Sequence, residues 1–152
     1  MYRPLVEKPR VRGQMKGNAV ANPLYDGLFG RHAGKTTPFL HLLDGSTITH
    51  QHFLSRAAQI ANVMLQLELK PGDRVAAQIE KSPEALALYA ACAQAGLVFL
   101  PLNTAYTVDE LAYFIDNSGA SLIVCDGRNQ AALAPLAGRL GAIIETLNAD
   151  GS

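Results

Sequence analysis

The sequence predicts an α/β fold, a parallel sheet built from βαβ layers with helices packed on its faces. Three observations carry this. The stretch from Gly72 to Tyr106 reads as a strand, a capped helix, a glycine stop and a second strand, which is one βαβ unit. Strand and helix patterns alternate at least three times after residue 70, as a parallel sheet with right-handed crossovers requires. The run Leu97 to Leu100 is continuously apolar, typical of a strand buried on both faces, and Ser121 to Cys125 reads as another apolar strand.

Each element has a local reason. Asn22 can cap a first helix whose opening position suits Pro23; Leu24, Leu28 and Phe29 recur at helical spacing, and Gly30 and Gly34 end it. Pro38 to Leu43 reads as a strand, Asp44-Gly45 as a hairpin turn and Ser46 to Ile48 as the return strand. Thr49 then caps a helix with an apolar stripe of Phe53, Leu54, Ala57, Ile60, Ala61, Met64 and Leu65. Pro71-Gly72-Asp73 breaks the chain, and Arg74 to Ile79 forms the next strand. Ser82-Pro83-Glu84 starts a helix with a capping hydroxyl, a proline and a carboxylate at the positive end of the dipole; Gly96 ends it. Thr107 and Glu110 form a capping box ahead of Leu111, Phe114 and Ile115. Ser121 to Cys125 is a strand, Asn129 to Leu140 a helix and Ala142 to Glu145 a last short strand.

The chain of 152 residues fits one domain, and 49% of it is hydrophobic. Basic and acidic residues balance at 13 each, so nothing global points to a nucleic-acid partner or an anionic membrane. Residues 1–17 nonetheless carry five basic side chains against Glu7 alone, a net of +4, which leaves the remainder at −4. With no period and with Pro4, Pro9, Gly13 and Gly17, residues 1–20 are expected to be a disordered basic tail or a mis-assigned start, Met15 being a second possible initiator. Residues 21–152 are the ordered part. No apolar run approaches the roughly 20 residues that span a bilayer, and no secretory signal opens the chain. Cys92 and Cys125 read as two buried thiols in a reducing compartment, so the cytoplasm is expected.

The residues that invite a chemical reading have structural explanations. Gly34-Lys35-Thr36 is not a Walker A loop, because Phe29 stands where its first glycine belongs and the segment follows a helix rather than a strand. His50 and His52 lie two apart on a helix and cannot ligate one ion together; with His32 and His41 they are expected to be solvated or capping. Ser82 lacks a nucleophile-elbow context, and Glu80, Glu84, Asp109 and Glu110 suit helix ends and exposed faces. Pro101-Leu102-Asn103-Thr104, by contrast, follows a buried strand, and ligands gather beyond the carboxyl ends of parallel strands; the alternative is a rigid turn with Asn103 bonding its own backbone.

Several motifs in order resemble the N-terminal part of the adenylate-forming acyl-CoA synthetases, the AMP-dependent synthetase/ligase family, from about Leu24 to Ala149. Lys70-Pro71-Gly72-Asp73-Arg74-Val75 is similar to that family's Gly-Asp-Arg-Val strand entry, and Ala95 to Asn103 to its Ala-Gly-x-x-x-x-Pro-Leu-Asn segment. Asp109-Glu110-Leu111 and Leu122-Ile123-Val124 continue the likeness. Ser46 to Thr49 looks like the early Thr-Tyr-x-Glu-Leu segment, from which His50 and His52-Phe53 depart. Within the family, Gln78-Ile79-Glu80-Lys81-Ser82 and Leu102 to Thr107 are most similar to malonyl-CoA synthetases.

The resemblance implies an acyl-CoA synthetase-like fold and a ligase that activates a malonate-like small carboxylate with ATP, through an acyl-adenylate, and passes it to CoA. It implies ATP, Mg2+ and CoA for a full-length enzyme. No Ser/Thr/Gly-rich phosphate loop occurs in these 152 residues, so no catalytic, cofactor-binding or metal-binding residue is assigned and none of the cofactors is expected to bind this chain alone. The expectation is an incomplete N-terminal subdomain, inactive alone, whose partner is the remainder of the synthetase chain. A stand-alone α/β interaction module, or one half of a split synthetase, is the alternative.

Overall fold

Asn22 caps the first helix, as the sequence predicts. In a computed structural model that describes residues 22–152, its Oδ1 accepts from the amides of Leu24 and Tyr25 at 3.1 and 3.3 Å, capping helix α1 (Pro23–Leu28). The expected basic tail lies outside the described residues. A 3-10 turn, Gly30–His32, follows α1.

Strands β1 (Pro38–His41) and β2 (Thr47–Thr49) form the predicted antiparallel hairpin, shifted in register between Pro38 and Leu40. Asp44 holds its turn by accepting from the Ser46 amide at 2.9 Å and the Ser46 hydroxyl at 2.6 Å. Helix α2 (His50–Gln66) starts where Thr49 Oγ1 accepts from the His52 amide at 3.2 Å. Phe53, Ala57, Ile60, Ala61 and Met64 are buried, as their stripe predicts, but Leu65 is 59% exposed. It lies on the flank of the stripe, about 100° round the helix from Met64.

Four further strands make the main sheet: β3 (Arg74–Gln78), β4 (Val98–Pro101), β5 (Leu122–Cys125) and β6 (Ile143–Thr146). Helices α3 (Pro83–Ala95), α4 (Val108–Ser118) and α5 (Gln130–Leu140) alternate with them. The strands are parallel in the order β4-β3-β5-β6.

Side-chain alternation divides the core into two layers. Val75, Ala77, Leu122 and Val124 point to the face covered by α2 and α3, where Ile60, Met64 and Leu88 pack. Ala76, Ile123 and Cys125 point to the face covered by α4 and α5, against Leu111, Ile115, Leu133 and Leu136. The small side chains of Ala87, Ala90 and Ala91 on α3 are almost wholly buried and let α2 approach closely.

One expectation fails. The apolar run at Leu97 to Leu100 is not fully buried: β4 is the edge of the sheet, Phe99 and Leu100 are only partly buried against the two core layers, and Val98 is 49% exposed. An apolar run reports covering surface, not the number of strand neighbours. Here β5 takes the other side of β3, and β4 is left with one partner in the described sheet. The twin run at Leu122–Cys125 sits at the centre and is fully buried.

Candidate functional site

The strand order creates a topological switch point. From β3 the chain crosses through α3 to β4 on one side, then returns through α4 to β5 on the other. Connections therefore diverge between β3 and β5, and in open parallel sheets the crevice outside the carboxyl ends of two such strands receives ligands.

Gln78 ends β3 there and is only 3% exposed. Its Nε2 donates to the carbonyls of Asn103 and Tyr106 at 3.1 and 3.3 Å and approaches that of Thr104 at 3.5 Å. One buried amide thus pins the whole turn that leaves β4. Asn103 Oδ1 accepts from the Ala105 amide at 2.9 Å, so the turn is rigid in its own right. The Pro101-Leu102-Asn103-Thr104 segment stands at the carboxyl end, and its Asn103 serves the backbone.

Asp126 follows β5 and is 5% exposed. Arg128 donates to Asp126 at 3.4 Å and to Glu80 across the switch point, while the Glu80 amide lies 3.5 Å from the Asp126 carboxylate. The hydrogen bond from Arg128 to Glu80, together with the Asp126 charge, raises the guanidinium above its ordinary range. Behind this bridge, Asn148 Oδ1 accepts from the Gly127 amide at 2.8 Å. At the same end of the sheet, Arg56 of α2 donates to Glu84 at 2.5 Å and to the Gly151 carbonyl at 2.9 Å. Of these residues Asn103, Glu80 and Glu84 stand out in the sequence as turn, helix-end or surface groups; Gln78, a lone polar residue closing an apolar strand, and Asp126, directly following another, carry a signal that composition and motif reading miss.

Other candidates resolve simply. Ser82 Oγ accepts from the Ala85 amide at 3.1 Å and serves as a cap. Burial pushes the Cys92 thiol up to about 12, and burial beside Asp126 pushes Cys125 up to about 11, so both stay protonated and inert near neutrality. Gly34-Lys35-Thr36 lies in the link from the 3-10 turn to β1. His50 stacks on His32, ring centroids 4.6 Å apart, whereas His41 and His52 are exposed. Among the described residues no group of three or more His, Cys, Asp or Glu is placed to hold a metal.

A cavity of about 390 Å³ opens at the opposite end, beneath the starts of β3, β5 and β6, lined in part by Glu68, Asp73, Asp116 and Ser121. It faces the amino ends of the strands and presents carboxylates. The carboxyl end is the better ligand site by topology and by its convergent polar groups.

A sequence profile described as AMP-binding enzyme matches residues 29–151. The chain belongs to the AMP-binding enzyme family. It is similar to feruloyl-CoA synthase of an Amycolatopsis species, 38% identical over 97 residues that cover 63% of this chain and 20% of that protein. Long-chain fatty acid transport protein 1 of Rattus norvegicus is 30% identical over 135 residues, covering 87% of this chain and 21% of that protein. Among solved structures, apo MatB from Rhodopseudomonas palustris is 42% identical with a TM-score of 0.81, covering 86% of this chain and 26% of that one. The chain thus spans about a fifth of these curated relatives. The expected acyl-CoA synthetase-like α/β architecture is present, and MatB has also been solved with ATP bound.

Arg128 and Arg56, the guanidinium groups of the network at the carboxyl end, are engaged by Glu80, Asp126 and Glu84, and no run of Gly, Ser and Thr follows β3 or β5. No described helix is long and apolar enough to cross a membrane.

Proposed function

We propose that this chain forms one wall of the active-site body of a cytoplasmic ATP-dependent acyl-CoA ligase acting on a malonate-like carboxylate. In that enzyme the carboxylate attacks the α-phosphate of ATP, giving an acyl-adenylate and pyrophosphate, and the CoA thiol then displaces AMP to form the thioester. Residues 21–152 constitute the N-terminal subdomain, and the turn pinned by Gln78 lies nearest the substrate. ATP, Mg2+ and CoA are bound mainly by the remainder of the synthetase, the partner that also covers the exposed edge of β4. The 152 residues alone make no thioester.

The observation that carries this reading is the likeness to MatB, which runs across 86% of the chain at 42% identity. The malonate preference rests on Gln78 to Ser82 and Leu102 to Thr107, since the curated relatives are named for feruloyl and long-chain fatty acid groups. The half-exposed Val98 on an edge strand supports a covering partner.

The test is a graft. Residues 22–152 replace the aligned stretch of Rhodopseudomonas palustris MatB, and thioester formation from malonate, ATP and CoA is compared with that of the isolated chain. The graft is expected to be active and the isolated chain silent. A folded but inactive graft overturns the assignment of this wall; thioester made by the isolated chain overturns its inactivity.

A further inference from the structure

The 30–37 link, which leads from the 3-10 turn into the hairpin, meets the start of α2 through positive and protonatable groups packed on one another. The His32 ring on the 3-10 turn lies almost parallel to that of His50 at the start of α2, with centroids 4.6 Å apart and planes 8° apart. Phe39 of β1 closes the other side of His50 at 4.8 Å. The Lys35 ammonium sits 3.1 Å from His32 Nδ1. An ammonium has only protons to give, so Nδ1 is the acceptor and the ring proton is on Nε2.

From the surrounding elements, the charged or titratable groups acting on His32 are Lys35 in the link, His50 on α2 and Arg31 beside it, and all act against a positive charge. β1 contributes Phe39, which is uncharged. Asp26 of α1 lies against Gly30 and is not among the groups acting on His32. The seam is completed by two backbone bonds, the His50 amide to the Thr37 carbonyl at 3.2 Å and the Gln51 amide to the Lys35 carbonyl at 2.8 Å.

We propose that this stack is an acid-sensitive joint: a proton on His32 removes the acceptor for Lys35, sets cation against cation, and releases the 30–37 link from the start of α2. The closed joint binds the proton less well than the open one, because partial desolvation and then the Lys35, His50 and Arg31 charges lower His32 below its ordinary value of about 6.5. The sign follows. Closure is favoured fully above the ordinary histidine value and is lost as pH falls through the lower value of the closed state.

The experiment is amide exchange of His50 and Gln51 by NMR, expressed as protection relative to the intrinsic rate, at about pH 7.5 and about pH 5.5. In the native sequence both protection factors should fall several-fold at the lower pH, while those of buried β5 stay level. His32→Phe keeps a ring against His50 but takes no proton, so most of the fall should vanish. Equal protection at the two pH values overturns the proposal, as does the same fall in His32→Phe. Should that variant fail to fold, the His32 imidazole is titrated in the native chain and in Lys35→Met. A midpoint below the ordinary histidine value that rises in Lys35→Met supports the joint; a midpoint indifferent to Lys35 overturns it.

Discussion

The two ends of the main sheet are built by different means. At the amino end, helices turn back into strands through the backbone. Gly96 takes a left-handed φ of 71° after α3, and a Cβ there would meet Pro71 at 3.3 Å; Gly119 and Gly141 share the left-handed conformation after α4 and α5, with open space around them. At the carboxyl end, side chains distant in sequence tie the departing loops: Gln78 to the 103–106 turn, Arg128 to Glu80, Asn148 to Gly127, and Arg56 to both Glu84 and Gly151. The amino end is a set of local stops around a hollow. The carboxyl end is a network held at a chosen geometry, as a surface that positions a reaction should be.

If that difference is real, the largest penalty for a single change should come from the network. Arg56 and Glu84 are only 15% and 18% exposed, and Arg56 also secures the carbonyl of Gly151. Arg56→Met keeps the packed stem but strands a largely buried carboxylate, and should cost about 2–3 kcal/mol in urea unfolding. Glu84→Gln in the Arg56→Met background should recover part of it, because the stranded charge is then gone. A cost in Arg56→Met no larger than that of an exposed surface exchange would mean the network is ornamental.

Gln78→Leu comes next. The strand keeps its volume, but the carbonyls of Asn103 and Tyr106 lose their donor, at about 1–2 kcal/mol since water can reach part of the turn. The amides of residues 102–107 should lose exchange protection while those of β5 do not. A uniform loss across the sheet would show Gln78 to be a core residue rather than the pin of a loop.

The same contrast decides what could be read from the sequence. Caps and stops act within four residues, so Asn22, Thr49, Ser82, Gly96 and the Thr107–Glu110 box are all legible and all present. The alternation of strands and helices gave the fold class, and ordered motifs gave the family. The network escaped because its partners lie between 21 and 95 residues apart, and only the strand order β4-β3-β5-β6 brings them together. The edge position of β4 escaped for that reason too: an apolar tetrad looks alike at the centre and at the rim. His32 and His50, each unremarkable alone, became a pair only when the link folded back on α2.

The smallest expected effect is the sharpest test of the amino end. α2 ends like the other helices, with the Glu68 amide bonded to the Leu65 carbonyl at 3.0 Å and the Leu69 amide to that of Met64 at 3.2 Å, but Glu68 occupies the left-handed position at φ 62° where α3, α4 and α5 use glycine. A side chain there costs about 1–2 kcal/mol of backbone strain, whereas glycine costs about 0.5–1 kcal/mol in the entropy of the unfolded chain. Glu68→Gly should therefore stabilise the fold by about 0.5 kcal/mol, read as a higher urea midpoint at unchanged slope. Glu68 also lines the amino-end cavity, as do Asp73 and Asp116. A loss of stability would mean that the glutamate makes a favourable contact across that hollow. The amino end would then be more than a row of backbone stops, and the contrast between the two ends would narrow.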